Sequence, residues 1–154
     1  MLFRSPTGRF AYATSVGGSS NVISQYTIGS NGALTPMTPA AVSAGSGTAP
    51  YIIAIDPSGK FAYAANSAGN NALLFTIQTN GALAPMTPPT VTTGLNPFGI
   101  DVDPSGTSLY VVNGNGSTIS QFTITTGGGV TPKTTPTVPT AAGPARMTSI
   151  GSWQ

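Results

Sequence analysis

Three acids, Asp56, Asp101 and Asp103, make up the whole acidic complement of this chain, with no glutamate, histidine or cysteine beside them. That inventory limits the available chemistry. A serine–histidine triad needs an imidazole to take the hydroxyl proton, so it is excluded. Thiolate metal sites and disulfides fall with the missing cysteines. Proton transfer at neutral pH favours histidine or a tuned carboxylate pair. Asp56 and Asp103 each open the run Asp-Pro-Ser-Gly, where an acid caps a turn rather than transferring protons. Asp101 differs, because it sits inside the strand-like run Ile100-Asp101-Val102. It is expected to line a central channel, where symmetry-related copies could hold a cation through water. One carboxylate per chain makes a weak metal site. Arg146 is expected to face Asp101 or the mouth of that channel. No catalytic residue and no cofactor is assigned.

The elements that must position these residues are written as a repeat. Ser5-Pro6-Thr7-Gly8-Arg9-Phe10-Ala11-Tyr12 returns as Asp56-Pro57-Ser58-Gly59-Lys60-Phe61-Ala62-Tyr63, and again from Asp103-Pro104-Ser105-Gly106 to Tyr110. Later phases repeat as well: Gln25-Tyr26-Thr27-Ile28, Leu74-Phe75-Thr76-Ile77 and Gln121-Phe122-Thr123-Ile124. A period of about 50 residues signals propellers or solenoids. Each unit reads as four short strands. Ile53-x-Ile55 and Leu73-x-Phe75-x-Ile77 alternate with the period of half-buried strands. Asp56-Pro57-x-Gly59 and Asp103-Pro104-x-Gly106 fit type I turns. Asn31-Gly32 and Asn80-Gly81 predict type I′ hairpins. The proline-bearing runs Pro36-x-x-Pro39 and Pro85-x-x-Pro88 suit outer edge strands, since proline donates no ladder hydrogen bond. Tyr12, Tyr63 and Tyr110 hold one phase and read as packing residues between units. The fold is therefore all-β, with three four-stranded antiparallel propeller blades covering residues 1–154 at about 5–55, 56–102 and 103–149.

Composition excludes several partners. Only 5% of residues are charged, against roughly 25% in ordinary globular domains. The net charge of +2 comes from scattered residues, which argues against nucleic acid and against an electrostatic membrane patch. No apolar run approaches the roughly 18 residues of a membrane span. No signal peptide is read in Met1 to Arg4, and the compartment stays open, although the Ser/Thr/Asn/Gly-rich composition would suit an exported protein.

The pattern Pro-x-x-Ile-x-Val-Asp-Pro-Ser-Gly followed by Leu-Tyr-Val-Val-Asn, clearest from Pro97 to Asn113, resembles the YVTN/lactonase-type β-propeller repeat. That family includes phosphogluconolactonase-like proteins, and the resemblance implies a propeller whose members usually close about twice as many blades. Only Met1 to Arg4 precede the first turn, so the first unit is expected to lack its inner strand. Residues 144–149, in register with 50–55, read as an extra inner strand that completes the blade begun by residues 5–49 of a neighbouring chain. Bare end faces would expose several hundred Å² of apolar surface. At roughly 25 cal/mol per Å², covering them contributes on the order of 10 kcal/mol per junction. A cyclic homo-oligomer follows, a six-bladed dimer in preference to a nine-bladed trimer. Arg4, Arg146, Met147 and Trp153 are expected at its junctions.

The missing acid–base residues favour a non-catalytic self-assembling scaffold or binding module. A lactonase-like hydrolase, or a fragment of one, is the enzyme alternative. A carbohydrate-binding propeller using the loops at 17–21, 66–71 and 113–118 is another, and no particular small-molecule or glycan ligand is assigned.

Overall fold

The computed structural model describes residues 2–6, 8–16, 21–45 and 47–148. They form twelve strands: β1 (Leu2–Arg4), β2 (Phe10–Thr14), β3 (Val22–Ile28), β4 (Leu34–Ser43), β5 (Pro50–Ile55), β6 (Phe61–Asn66), β7 (Asn71–Ile77), β8 (Leu83–Thr92), β9 (Pro97–Val102), β10 (Ser108–Asn113), β11 (Thr118–Ile124) and β12 (Val130–Pro139). Consecutive strands pair antiparallel into three four-stranded sheets, β1–β4, β5–β8 and β9–β12. The inner strands β1, β5 and β9 lie side by side, and the proline-bearing β4, β8 and β12 form the outer edges.

The sheets stack face to face because alternate residues of each strand serve two neighbours. Ile53, Ala62, Ala64, Leu73 and Phe75 pack on the first sheet's Phe10, Tyr12 and Ile23. The intervening Ile52, Tyr63, Ala65, Ala72 and Leu74 pack on Ile100, Val102, Leu109, Val111 and Phe122 of the third. The middle blade is thus covered on both faces. That accounts for the near-continuous burial along β6 and β7, where a strand packed on one side would alternate.

Each turn begins as its sequence predicts. Gly8, Gly59 and Gly106 donate their N–H to the carbonyls of Ser5, Asp56 and Asp103, and all three have positive φ. The Asp56 carboxylate accepts from the N–H groups of Ser58, Lys60 and Phe61, and from the Ser58 hydroxyl. Asp103 does the same for Thr107 at 2.8 Å and Ser108 at 2.7 Å. Burial works to raise the Asp103 carboxyl pKa. Hydrogen bonds from Ser105, Ser108 and Thr107 outweigh that and hold it below the usual carboxylate range. Its small contribution to stability is present above the ordinary pKa and is lost as pH falls through the lowered one.

Two expectations about local structure change. The first blade has its own inner strand, because Leu2–Arg4 pairs with Ala11 to Ala13. Three residues suffice for that ladder, a signal too short to read beside the six-residue β5 and β9. Among the described residues, Pro144 to Thr148 pair with no strand of this chain. They run beside β9, with the Ala145 carbonyl 3.1 Å from where a Cβ on Gly99 would lie. The Asn-Gly hairpins also differ from type I′. Only the glycines Gly32 and Gly81 take positive φ, while Asn31 and Asn80 use their side chains to accept from Ala33 and Ala82 N–H at 3.0 Å. The turn is type I closed by a left-handed glycine, which a five-residue loop favours.

A clasp joins each blade to the next. Tyr12 donates its hydroxyl to the Gly81 carbonyl at 2.7 Å, and Tyr63 donates to that of Gly128 at 2.8 Å. The rings of Phe10 and Phe61 lie against the same two glycines, so closely that any Cβ there would overlap them. Gln25 adds a bond at the first junction, accepting from Leu83 N–H at 2.6 Å. Burial pushes the Tyr12 hydroxyl pKa up to about 12. Burial, with the Asp56 charge second, raises that of Tyr63 further. Both tyrosines therefore stay protonated in the fold after they would ionise in the unfolded chain. Their contribution is full below pH about 10 and is lost as pH rises above it. Thermal melts should fall steeply above that pH, and the double substitution Tyr12→Phe and Tyr63→Phe should flatten the alkaline limb while lowering the neutral-pH stability. An unchanged limb would show that these hydroxyls do not set it.

Candidate functional site

The end of the stack carrying the loops that enter β5 and β9 holds the most developed surface. Pro50 and Pro97, both fully buried, begin these inner strands, and the next residues, Tyr51 and Phe98, stand at the rim. Their rings meet edge to face with centroids 4.9 Å apart. Tyr51 is 38% exposed, and its carbonyl accepts from the Thr14 hydroxyl at 2.9 Å. Phe98 rests on Gly114, where a Cβ would lie 2.5 Å from the ring. Exposed Leu95 adds apolar surface in the loop before β9.

Two buried asparagines fix this rim. Asn66 ends β6, accepts from Ala49 N–H at 2.7 Å and donates to Asn71 at 2.9 Å. Asn113 ends β10, accepts from Gly94 N–H at 3.1 Å and donates to Thr118 at 3.0 Å and Ser120 at 2.9 Å. Each ties the loop entering its blade's inner strand to the end of the second strand. Asn70 links neighbouring blades, accepting from Asn96 N–H at 2.7 Å. Of the loops expected on one rim, 66–71 and 113–118 do lie there, while 17–20 falls outside the described residues. An aromatic platform framed by uncharged amides can bind a small polar ring by its apolar face.

Asp101 lies on the face of β9 that period two assigns to it. Ile100 and Val102 belong to the core against the second blade, so Asp101 lies on the opposite face of β9, beside its ladder partner Tyr110. Propeller sheets stack radially, which turns the side chains of an inner strand toward neighbouring blades. No group of three or more potential metal ligands occurs among the described residues, Asp101 included. Gly99 shares the face of Asp101, and the Ala145 carbonyl lies 3.1 Å from where its Cβ would stand; Arg146 is exposed and Met147 half-buried. Arg4 is in β1 at the ladder position that Ile55 and Val102 hold in the other blades, opposite Ala11. Trp153 lies outside the described residues. Asp56, Pro57, Gly59, Asp103, Pro104 and Gly106 occupy the opposite end of the stack as turn formers. Grooves of about 480 and 500 Å³ open between adjacent blades toward their outer strands and are lined by uncharged residues.

Gln25, buried in the middle of a sheet, was not singled out from sequence. A usable signal existed: glutamine recurs as Gln121 at a phase where the second unit has Leu74.

Face-stacked four-stranded sheets with inner strands grouped together define a β-propeller arc. The family model for Lactonase, 7-bladed beta-propeller, matches residues 2–92 and again 52–143. The chain belongs to that family. Among solved structures, one from Bacteroides uniformis named as a 6-phosphogluconolactonase aligns with TM-score 0.79 and 22% identity, over 90% of this chain and 40% of its own. A Lactobacillus plantarum protein aligns with TM-score 0.76 and 20% identity, over 95% of this chain and 43% of its own. The periplasmic gluconolactonase of Pseudomonas aeruginosa aligns with TM-score 0.51 and 18% identity, over 92% and 54%. No curated protein sequence matches. The chain thus spans about two fifths of the length of the first two structures.

The expectation of a non-catalytic scaffold is corrected by this membership. The matched family is described as a lactonase and two of the aligned structures carry gluconolactonase names, which favours the hydrolase alternative.

Proposed function

We propose that this chain supplies three blades of a lactone-hydrolysing propeller that acts on a sugar lactone. The observation that carries this reading is the family match, which runs from residue 2 to residue 143. The rim agrees with it, since Tyr51 and Phe98 offer a ring-sized apolar platform among neutral amides. In this reading Asp101 is the one carboxylate outside the turns, and it takes a proton from water. The water oxygen bonds to the lactone carbonyl carbon, the ring carbon–oxygen bond breaks, and the leaving oxygen receives the proton. The product is the open hydroxy acid.

A pH-stat assay tests this by following acid release from gluconolactone and from its 6-phosphate. The expected result is a rate above spontaneous opening, lowered by Asp101→Asn by about 10²- to 10⁴-fold. A rate equal to the uncatalysed one with both lactones would overturn the proposal. Full activity in Asp101→Asn would remove Asp101 from it.

A further inference from the structure

We infer that Asn115 is a self-modifying site, which loses its side-chain amide to attack by the Gly116 nitrogen and leaves a carboxylate on the rim. The inference does not depend on lactone hydrolysis. It rests on a contrast among the Asn-Gly steps of this chain, at Asn31, Asn80, Asn113 and Asn115.

The reaction needs nothing but water. The backbone nitrogen of the glycine gives up its proton and bonds to the asparagine Cγ. The bond from Cγ to the amide nitrogen breaks, ammonia leaves, and a cyclic imide closes. Water then adds to one imide carbonyl and breaks that carbon–nitrogen bond. Opening at Cγ gives an ordinary aspartyl residue. Opening at the main-chain carbonyl gives a β-aspartyl linkage, whose backbone is longer by one carbon. No atom is oxidised or reduced. Glycine favours the first step, since it has no Cβ to shield its nitrogen. Two conditions then decide which steps react. The side chain must be able to swing onto the nitrogen, and the N–H must not be held as a donor.

The other steps fail these conditions. Asn113 is fully buried with its amide bonded to Gly94, Thr118 and Ser120, and Gly114 N–H donates to the Asn96 carbonyl at 2.9 Å. Asn31 and Asn80 are exposed, but their side-chain oxygens are held by Ala33 and Ala82 N–H. The glycines that follow them, Gly32 and Gly81, each donate at 2.8 Å, to the Gly29 and Gln78 carbonyls. Gly81 is also buried beneath Phe10.

Asn115 meets both conditions. It is exposed, and its amide makes no hydrogen bond among the described residues. Gly116 N–H reaches the Leu95 carbonyl at 3.3 Å, longer than a usual N–H···O bond. This exposure does not come from the end of the chain. Ala68 follows Asn66 at the offset by which Asn115 follows Asn113, and the third blade covers the second. Ala68 is exposed all the same.

The new charge arises where none stands now. The loops 44–49, 66–71, 93–96 and 113–118 contain no charged residue. Gly114 supports the Phe98 ring and Gly116 bonds Leu95, so position 115 adjoins the aromatic platform. Conversion takes the formal net charge one unit below its starting +2. A neutral rim thereby turns negative as the molecule ages, which disfavours anionic ligands relative to neutral ones.

The test keeps purified chain at mildly alkaline pH and moderate warmth, beside a sample in concentrated urea, with peptide mass mapping over days. In urea the Asn-Gly steps should all convert at similar rates, because the unfolded chain protects none of them. In the folded chain the Asn115 step should run about tenfold or more ahead of the others, a factor that one retained hydrogen bond supplies. A more acidic form should accumulate on isoelectric focusing. Asn115→Ala, which installs the side chain that Ala68 already carries in the second blade, should abolish that form. Asn31 converting as fast as Asn115 in the folded chain would overturn the inference. So would an Asn115 step slowed from its urea rate as strongly as the buried Asn113 step. Undiminished acidic product from Asn115→Ala would place the reaction elsewhere and overturn it equally. None of these readouts measures lactone turnover.

Discussion

Gly128→Val should lower the stability of the chain by about 4 kcal/mol, summing backbone strain and overpacking. Gly128 has φ of 79°, a conformation in which a β-branched residue is strongly disfavoured. Its absent Cβ also matters, because that atom would lie 2.2 Å from the Phe61 ring. The ring is half-buried against the core between the second and third sheets, so displacing it gives up packing. Domains of this kind have only about 5–15 kcal/mol to lose. The variant should therefore unfold at much lower urea, with the third sheet loosening first. Gly127→Val is the matched control: a Cβ at Gly127 meets nothing within 4 Å, and its φ is not positive. It should shift stability by less than about 0.5 kcal/mol. Equal midpoints for the two variants would show that the hairpin is not gripped at Gly128.

The second large effect is at Tyr63, which is fully buried at the same junction. Tyr63→Ala should cost about 3–5 kcal/mol, the usual range for deleting a buried aromatic ring. Tyr63→Phe keeps the ring and removes only the bond to the Gly128 carbonyl, so about 1–2 kcal/mol is expected. The ratio between the two separates packing from hydrogen bonding. Combined with Gly128→Val, Tyr63→Ala should cost less than the sum of the two, because a junction already opened has less to lose. Additive costs in urea titrations would mean that the two residues hold independent contacts.

Much of this architecture is legible in the residues. The Asp-Pro-Ser-Gly turns and the prolines of β4 and β8 appear where their chemistry requires them, whereas the period-two reading of β7 caught only one of its two buried faces. The packing role of Tyr12 and Tyr63 follows from their fixed phase. Its particular form, a hydroxyl reaching a glycine carbonyl in the next blade, depends on a long-range approach that no local pattern encodes. The same limit applies to Asp101. Period two says that it opposes Ile100 and Val102, but it does not say which of those faces meets a blade. The short β1 was invisible because three residues carry too little alternation to read. The rim was partly hidden for another reason: Asn66 and Asn113 look like solvent-facing polar ends, and only the folded loops supply the groups that bury them.

The clasps and the rim occupy opposite ends of the stack. Gly81 and Gly128 grip at the hairpins, while Tyr51, Phe98 and the asparagine-braced loops stand at the far end. The tyrosine clasps and the rim loops thereby occupy separate stretches of chain, although the bonds from Asn96 to Asn70 and from Thr14 to Tyr51 also join blades at the rim. The loops preceding β5 and β9 already differ in length, 44–49 against 93–96, without disturbing either clasp. A lineage built on this plan is free to rewrite its recognition loops by insertion or deletion while the joints keep one pattern. For the same reason, an engineer seeking new specificity can randomise exposed rim positions such as Tyr51 and Leu95 while keeping Asn66, Asn70 and Asn113.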